Sequence, residues 1–223
     1  MSYCVAIDGP AGAGKSTIAK QIAKKMDLLY VDTGAMYRAM ALFMIRENIA
    51  ADDLQGIDSK CEEANITLKY EKGEQAVYLN GENVNAFLRT EEVGNMASVS
   101  SVRAKVREKL VSLQKQLAQS TDVIMDGRDI GTCVLPDADV KIYLTASVEV
   151  RAKRRYDELI EKGEPCSLEK IAQDISDRDD RDMTRKESPL KKADDAVLVD
   201  SSHMSIEEVV ESIIKICKDK RSI

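Results

Sequence analysis

A three-layer α/β fold, with a five-stranded parallel sheet between helices and a small antiparallel insertion, is predicted by three features of the 223-residue sequence. Short apolar runs of strand length alternate with stretches of helical spacing, the rhythm of βαβ units in a parallel sheet. The first of these strands runs into a glycine loop and then a helix. One stretch in the middle switches to strict alternation between tight turns, which marks a local antiparallel sheet instead.

Tyr3–Ile7 (YCVAI) is the first strand, and Ile18, Ile22 and Met26 give the following helix its apolar side. Leu28–Asp32 (LLYVD) reads as the second strand, closing on a turn at Asp32, Thr33 and Gly34, after which Met36, Met40, Phe43 and Met44 share a helix face. In residues 56–95, Ile66, Leu68 and Tyr70 alternate with polar residues. Two turns, Glu71-Lys72-Gly73-Glu74 and Asn80-Gly81, flank the run containing Val77, Tyr78 and Leu79, so the segment is an insertion of short strands with one face in water. Val99, Val102, Val106, Leu110, Leu113 and Leu117 predict one long amphipathic helix from about Ala97 to Gln119. Val123–Met125 and Val140–Leu144 supply the third and fourth strands, and Ala196–Val199 the fifth. Residues 147–187 are charge-dense and helical in habit. The last helix begins with a capping box, Ser205 and Glu208, and carries Ile206, Val209, Val210, Ile213 and Ile214 on its apolar face.

Composition narrows the function classes. A chain with 43% hydrophobic and 32% charged residues is an ordinary globular protein, and a net charge of -6 argues against a general nucleic-acid binder, which needs a basic surface. Cys4, Cys61, Cys133, Cys166 and Cys217 are odd in number and scattered, with no CxxC pair, so neither a metal framework nor disulfides are expected. No apolar run has the length of a membrane span, and Met1 leads into a strand and not a signal sequence, so a cytoplasmic protein without membrane attachment is expected. With one histidine, His203, mechanisms built on a Ser-His pair are disfavoured. The absence of a surplus apolar stripe points to a monomer.

The glycine loop carries the chemistry. Gly9, Pro10, Ala11, Gly12, Ala13, Gly14, Lys15, Ser16 and Thr17 match GxxxxGK[ST] in the strand-loop-helix context that the motif requires. Its amides and the helix dipole cradle phosphates, Lys15 reaches the β- and γ-phosphates, and the Ser16 hydroxyl is the Mg²⁺ ligand. A nucleoside triphosphate site follows. No NKxD-type guanine signature is found. Arg38, Arg107, Arg128, Arg178, Arg181 and Arg185 fall after strand ends or in the returning helix, and in an open parallel sheet the strand ends line the ligand crevice. Arginines converging there imply a second anion, as in phosphoryl transfer to a phosphate acceptor. Such an acceptor is already nucleophilic, so no imidazole base is needed.

Four segments, AIDGPAGAGKST at 6–17, YVDTGAMYRAMAL at 30–42, DGRDIGT at 126–132 followed by Pro136-Asp137-Ala138, and RDDRDMTR at 178–185, together resemble bacterial cytidylate kinases, a family of P-loop nucleoside monophosphate kinases. The order and spacing match along essentially the whole chain. The resemblance implies transfer from ATP, with Mg²⁺, to CMP or dCMP. It implies that Gly9 to Thr17 hold the ATP phosphates, with Lys15 neutralising the transferred group and Ser16 on the metal. Arg38 and Arg128 would grip the acceptor phosphate; Thr33, Arg107 and Asp129 would read the cytosine edge. Ser98, Arg178 and Asp182 would hold the sugar, and Arg185 would approach the phosphates. Thr33 stands where some relatives have serine, which keeps the hydroxyl.

Asp126 has two open roles at this level, orienting Arg128 or orienting metal-bound water. Read without the resemblance, Arg107 is a surface charge and Arg178 and Arg181 belong to a solvated charged helix. The expected organisation is a core of residues 1–55, 96–150 and 188–223, a monophosphate-binding insertion at 56–95 and a lid at 151–187, the last two closing over the nucleotides to exclude water. Rival readings are another small P-loop kinase, acting on adenylate, shikimate or dephospho-coenzyme A, or a non-catalytic ATP sensor.

Overall fold

The apolar run before the glycine loop forms the central strand, as expected of a segment buried on both faces. In the computed structural model, which describes residues 2–71 and 73–221, β1 (Cys4–Asp8) is followed by α1 (Lys15–Met26) and β2 (Leu29–Asp32). The returning part of the chain contributes β6 (Val123–Gly127), β7 (Val140–Thr145) and β8 (Val197–Asp200). These five strands make one sheet in the order β2-β6-β1-β7-β8. β1 runs parallel to both neighbours, with Ile7 beside Asp126 and Asp8 beside Gly127, and β7 runs parallel to β8. The predicted parallel sheet is therefore present, and Met1 lies outside the described residues.

Two compact units divide the chain, the first comprising residues 1–30 and 121–223, the second residues 31–120. In the first, Ile18 and Ile22 of α1 pack with Val5, Ile7, Ile124, Ile142 and Leu144 of the sheet. Val209, Val210, Ile213 and Cys217 of α8 (Ile206–Arg221) complete that core. Ile206, expected on this face, is exposed, and Cys217 takes the inward position at the other end of the stripe. The capping box forms as expected: Ser205 N–H donates to Glu208 Oε2 at 2.7 Å and Glu208 N–H to Ser205 Oγ at 3.2 Å. A second small core joins Ala152 on α6 (Val148–Glu161) to Ile171 and Ile175 on α7 (Leu168–Thr184).

The second unit has its own core around α2 (Thr33–Arg46), whose Met36, Met40, Phe43 and Met44 are all buried. The residues read as a turn after the second strand instead start this helix. Asp32 is its N-cap, its Oδ1 accepting from Ala35 N–H at 2.9 Å, which satisfies an otherwise orphaned amide. After α3 (Leu54–Lys60), β3 (Ile66–Glu71), β4 (Glu74–Leu79) and β5 (Glu82–Asn83) form the expected antiparallel sheet. Asn80 and Gly81 both have positive φ, 50° and 87°, the geometry of a two-residue hairpin turn. Lys72 of the other turn lies outside the described residues.

The single long helix expected from Ala97 to Gln119 is two helices, α4 (Glu91–Ser100) and α5 (Ala104–Ser120). Ser101 favours the break, because a serine hydroxyl competes for backbone groups: Ser101 Oγ donates to Ser98 O at 3.0 Å. Arg103 then pairs with Asp58 of α3, and Val102, whose spacing suggested the buried face, is exposed.

Candidate active site

The glycine loop is shaped by what surrounds it. A Cβ at Gly9 would sit 1.9 Å from the backbone oxygen of Leu144 on β7, so only glycine lets the loop pass this close to the sheet. Gly14 caps α1 with φ 84°, a left-handed conformation that turns the chain into the helix. Lys15, the first residue of α1, is buried and its Nζ donates to Pro10 O at 2.7 Å, closing the loop on itself. Burial pushes its ammonium well below the usual lysine range, and Arg128 adds to this while Asp126 and Asp8 oppose it. Ser16 Oγ donates to Asp126 Oδ2 at 2.9 Å, and Tyr30 OH to Asp126 Oδ1 at 2.8 Å. The parallel pairing of β1 with β6 is what sets Asp126 at the root of the loop.

Past the end of β6 the chain places Arg128 and Asp129 among side chains from α7. Arg128 Nε donates to Asp182 Oδ2 at 2.8 Å. Arg185, at the C-cap of α7, lies with Nη2 3.6 Å from Asp129 Oδ1 and Nη1 4.0 Å from Asp182 Oδ1, while its Nε donates to Ser188 O at 2.8 Å. Burial alone would raise the Asp182 carboxyl, but Arg128, Arg178 and Arg185 together hold it below the ordinary aspartate range. Lys15, Ser16, Asp126, Arg128, Asp129, Arg178, Asp182 and Arg185 thus gather in the first unit. Arg181 of the same helix is exposed.

Thr33, Arg38, Ser98 and Arg107 belong to the second unit. Thr33 is buried in the first turn of α2, and Arg38 folds back along that turn, its Nη1 3.6 Å from where a Cβ on Gly34 would lie. Arg107 is buried on α5 and its guanidinium carbon stands 5.8 Å from the centre of the Tyr37 ring, a cation–π distance that rules out the surface-charge reading. Ser98 is half-buried on α4.

Sequence reasoning missed three groups here. Asp8 is buried at the end of β1, and its two carboxylate oxygens accept from Ile130 N–H and Gly131 N–H, each at 2.7 Å. They hold the start of a single π-helical turn, Ile130–Val134, that nothing in the spacing announced. Arg151 and Asp179 form a buried ion pair of 2.7 Å against the glycine loop. Both sit on otherwise apolar stripes, Val148, Arg151, Ala152 on α6 and Ile171, Ile175, Asp179 on α7, and a charge interrupting a stripe was the available signal. Among the described residues no group of three or more His, Cys, Asp or Glu side chains is placed to hold a metal ion.

The sequence model of the cytidylate kinase family matches residues 5–219. A cytidylate kinase from Geobacillus sp. (strain WCH70) is 49% identical over 216 residues, covering 97% of this chain and 96% of that protein. One from Lactobacillus johnsonii is 50% identical over 218 residues, covering 97% of this chain and 94% of its own. The chain belongs to the cytidylate kinase family. The shikimate kinase structure from Bacteroides thetaiotaomicron, 11% identical, aligns over 97% of this chain and 98% of its own with a TM-score of 0.50, a likeness of α/β fold alone. Membership of the cytidylate kinase family makes this an ATP-dependent phosphotransferase built on that fold. The readings as a non-catalytic sensor or as another small kinase are thereby displaced.

Proposed function

We propose that the protein transfers the γ-phosphoryl group of ATP to CMP or dCMP, giving ADP and CDP or dCDP, with Gly9 to Thr17 as the donor site. The observation that carries this reading is the cluster in the first unit: a buried Lys15 in the loop, with Arg128 and Arg185 held by Asp182 and Asp129 nearby. Phosphoryl transfer leaves little covalent work to the protein, because the barrier lies in bringing two anions together and holding the charge that spreads over the transferred group. The loop amides fix the donor phosphates and Lys15 meets the γ-phosphoryl group. Burial lowers the proton affinity of the Lys15 ammonium, and an anionic phosphate beside it would raise it again, so the group favours a bound phosphate over water. Arg128 and Arg185 are held by carboxylates without ligand. Those carboxylates pre-orient the guanidinium forks that then neutralise acceptor and transferred phosphates.

Ser16 supplies a hard oxygen donor suited to Mg²⁺ completed by phosphate oxygens and water, with the Asp126 carboxylate 2.9 Å behind it. When bound, that ion would shield the β- and γ-phosphate charge. The hydrogen bonds of Asp126 with Ser16 and Tyr30 favour its orienting metal-bound water over its orienting Arg128. Gly9, Pro10, Ala11, Gly12, Ala13, Gly14 and Thr17 contribute backbone and packing to the donor site.

The acceptor is held by Arg38 and Arg128 at its phosphate. Thr33, Arg107 and Asp129 meet the cytosine edge, and Ser98, Arg178 and Asp182 the sugar. Residues 56–95 are the monophosphate-binding insertion and 151–187 the lid, on a core of 1–55, 96–150 and 188–223. The protein works as a cytoplasmic monomer on small molecules, with no nucleic-acid polymer or membrane as partner. Among the described residues, no helix is long and apolar enough to cross a membrane.

A coupled assay of ADP release with CMP, dCMP, UMP and AMP decides the substrate. CMP and dCMP should lead, and a preference for AMP or silence toward CMP overturns the assignment. Lys15→Ala should lose turnover by roughly 10²–10³-fold, the scale for removing one preorganised charge-stabilising group, with circular dichroism unchanged.

A further inference from the structure

The glycine loop is gripped from behind by a side chain that the scheme above leaves without a task. The Arg151 guanidinium is buried, and Nη1 donates to Ala11 O at 2.9 Å while lying 2.7 Å from Asp179 Oδ2. Nε donates to Ala146 O at 2.8 Å, just past the end of β7. The stem of the side chain lies against the loop, 3.4 Å from where a Cβ on Gly12 would stand. One planar fork therefore ties the loop, the exit of β7 and α7 together, a task that a lysine point charge cannot perform.

We propose that Arg151 and Asp179 are positioning residues for ATP, a latch that presets the phosphate loop and couples it to α7. The reasoning rests on the donor-site reading above and on three physical steps. A trans peptide is planar, so its carbonyl and the following N–H point in opposite directions. Fixing Ala11 O toward Arg151 aims the Gly12 N–H to the far side of the peptide, into the loop. The anchor on α7 comes next. Asp179 is one residue from Arg178 and three from Asp182, and Asp182 holds Arg128, so the anchoring helix is also the one that arranges the arginine cluster. Finally, Asp179 Oδ1 is buried and has no hydrogen-bond partner among the described residues. A half-satisfied buried carboxylate is a poor choice for stability alone, since its desolvation is incompletely compensated. It suits a group whose purpose is to hold Arg151.

The test uses Arg151→Lys, which keeps the charge and loses the fork, and Asp179→Asn, which keeps the shape and loses the charge. Calorimetry with ATP alone, steady-state kinetics and thermal unfolding are read on each single variant and on the pair. Arg151→Lys is expected to weaken ATP binding and lower kcat by about 10–100-fold, the penalty for small misplacements of a reacting group, while KM for CMP stays within about twofold. Asp179→Asn should show the same pattern more weakly, and the double variant should be no worse than Arg151→Lys, because groups acting through one contact are not additive. ATP affinity and kcat both within twofold of wild type in either folded single variant overturns the latch, as do losses that multiply in the double variant. If one variant fails to fold, the other decides. Since ATP binding is measured without acceptor, wild-type protein that binds ATP yet leaves CMP untouched would sink the proposed reaction and leave this measurement meaningful.

Discussion

Asp8 is the residue that links the glycine loop to the arginine-bearing segment after β6, and its titration gives that link a measurable signature. Burial pushes its carboxyl up to about 6, against the pull of the Gly131 and Ile130 amides and of Lys15, with Asp129 adding to the rise. A carboxyl whose folded pKa exceeds its unfolded value binds more protons when native. Its contribution is therefore fully present below the unfolded value near 3.8 and is lost as pH rises through about 6. Asp8→Asn removes this titration. The stability of wild type relative to Asp8→Asn should fall between pH 4 and 6, by an amount on the order of 2–3 kcal/mol, and then level off. Denaturant titrations at several pH values check it; a flat or rising difference across that window would show that Asp8 stays ionised. The sequence pointed to the motif glycines, Lys15 and Ser16 because their spacing is itself the signal. Asp8 was passed over because its partners are backbone amides, which carry no residue identity, and Arg107 could not be told from a surface charge until Tyr37 was seen beside it.

At the scale of elements, local signals were legible where the partners are close in sequence. The Asn80-Gly81 hairpin and the Ser205/Glu208 box are complete within four residues, and both formed as read. The break between α4 and α5 was missed because the local serine signal is weak and the pairing of Arg103 with Asp58 that accompanies it is distant in sequence. The α8 box also offers a control for every active-site variant. Ser205→Ala removes the acceptor for the Glu208 amide and should cost about 1 kcal/mol, lowering the Tm by roughly 2–4 °C for a chain of this size. Because the box hydrogen bonds run between Ser205 and Glu208 and engage no residue of the loop or the arginine cluster, kcat with CMP should be unchanged. A fall in kcat larger than twofold at a temperature where the variant is folded would mean that α8 supports the site as well as the core.

For the molecule as a whole, the five strands and their parallel character followed from the apolar rhythm, but the order β2-β6-β1-β7-β8 did not, since pairing across 55 or more residues leaves no local mark. The division after Tyr30 was invisible for a related reason: it falls inside β2, between Tyr30 and Val31 in the apolar part of the strand, and the turn-like residues come only after it. Each unit carries its own buried core, around α2 in one and around α1, the sheet and α8 in the other. The proposed roles put the donor on residues of the first unit and much of the acceptor's recognition on residues of the second, which hydrogen exchange can separate ligand by ligand. Amides ordered by a bound ligand exchange more slowly by the binding free energy, about 2.7 kcal/mol or a hundredfold at a ligand concentration of 100 Kd. ATP alone should protect the segment 9–17 and the C-terminal turns of α7. CMP alone should protect the first turns of α2 around Thr33 and Arg38, the stretch from Ser98 to Arg107, and Arg128 to Asp129. Protection by CMP confined to the glycine loop would mean that the monophosphate occupies the donor site, and that the arginines of the second unit serve some purpose other than gripping the acceptor.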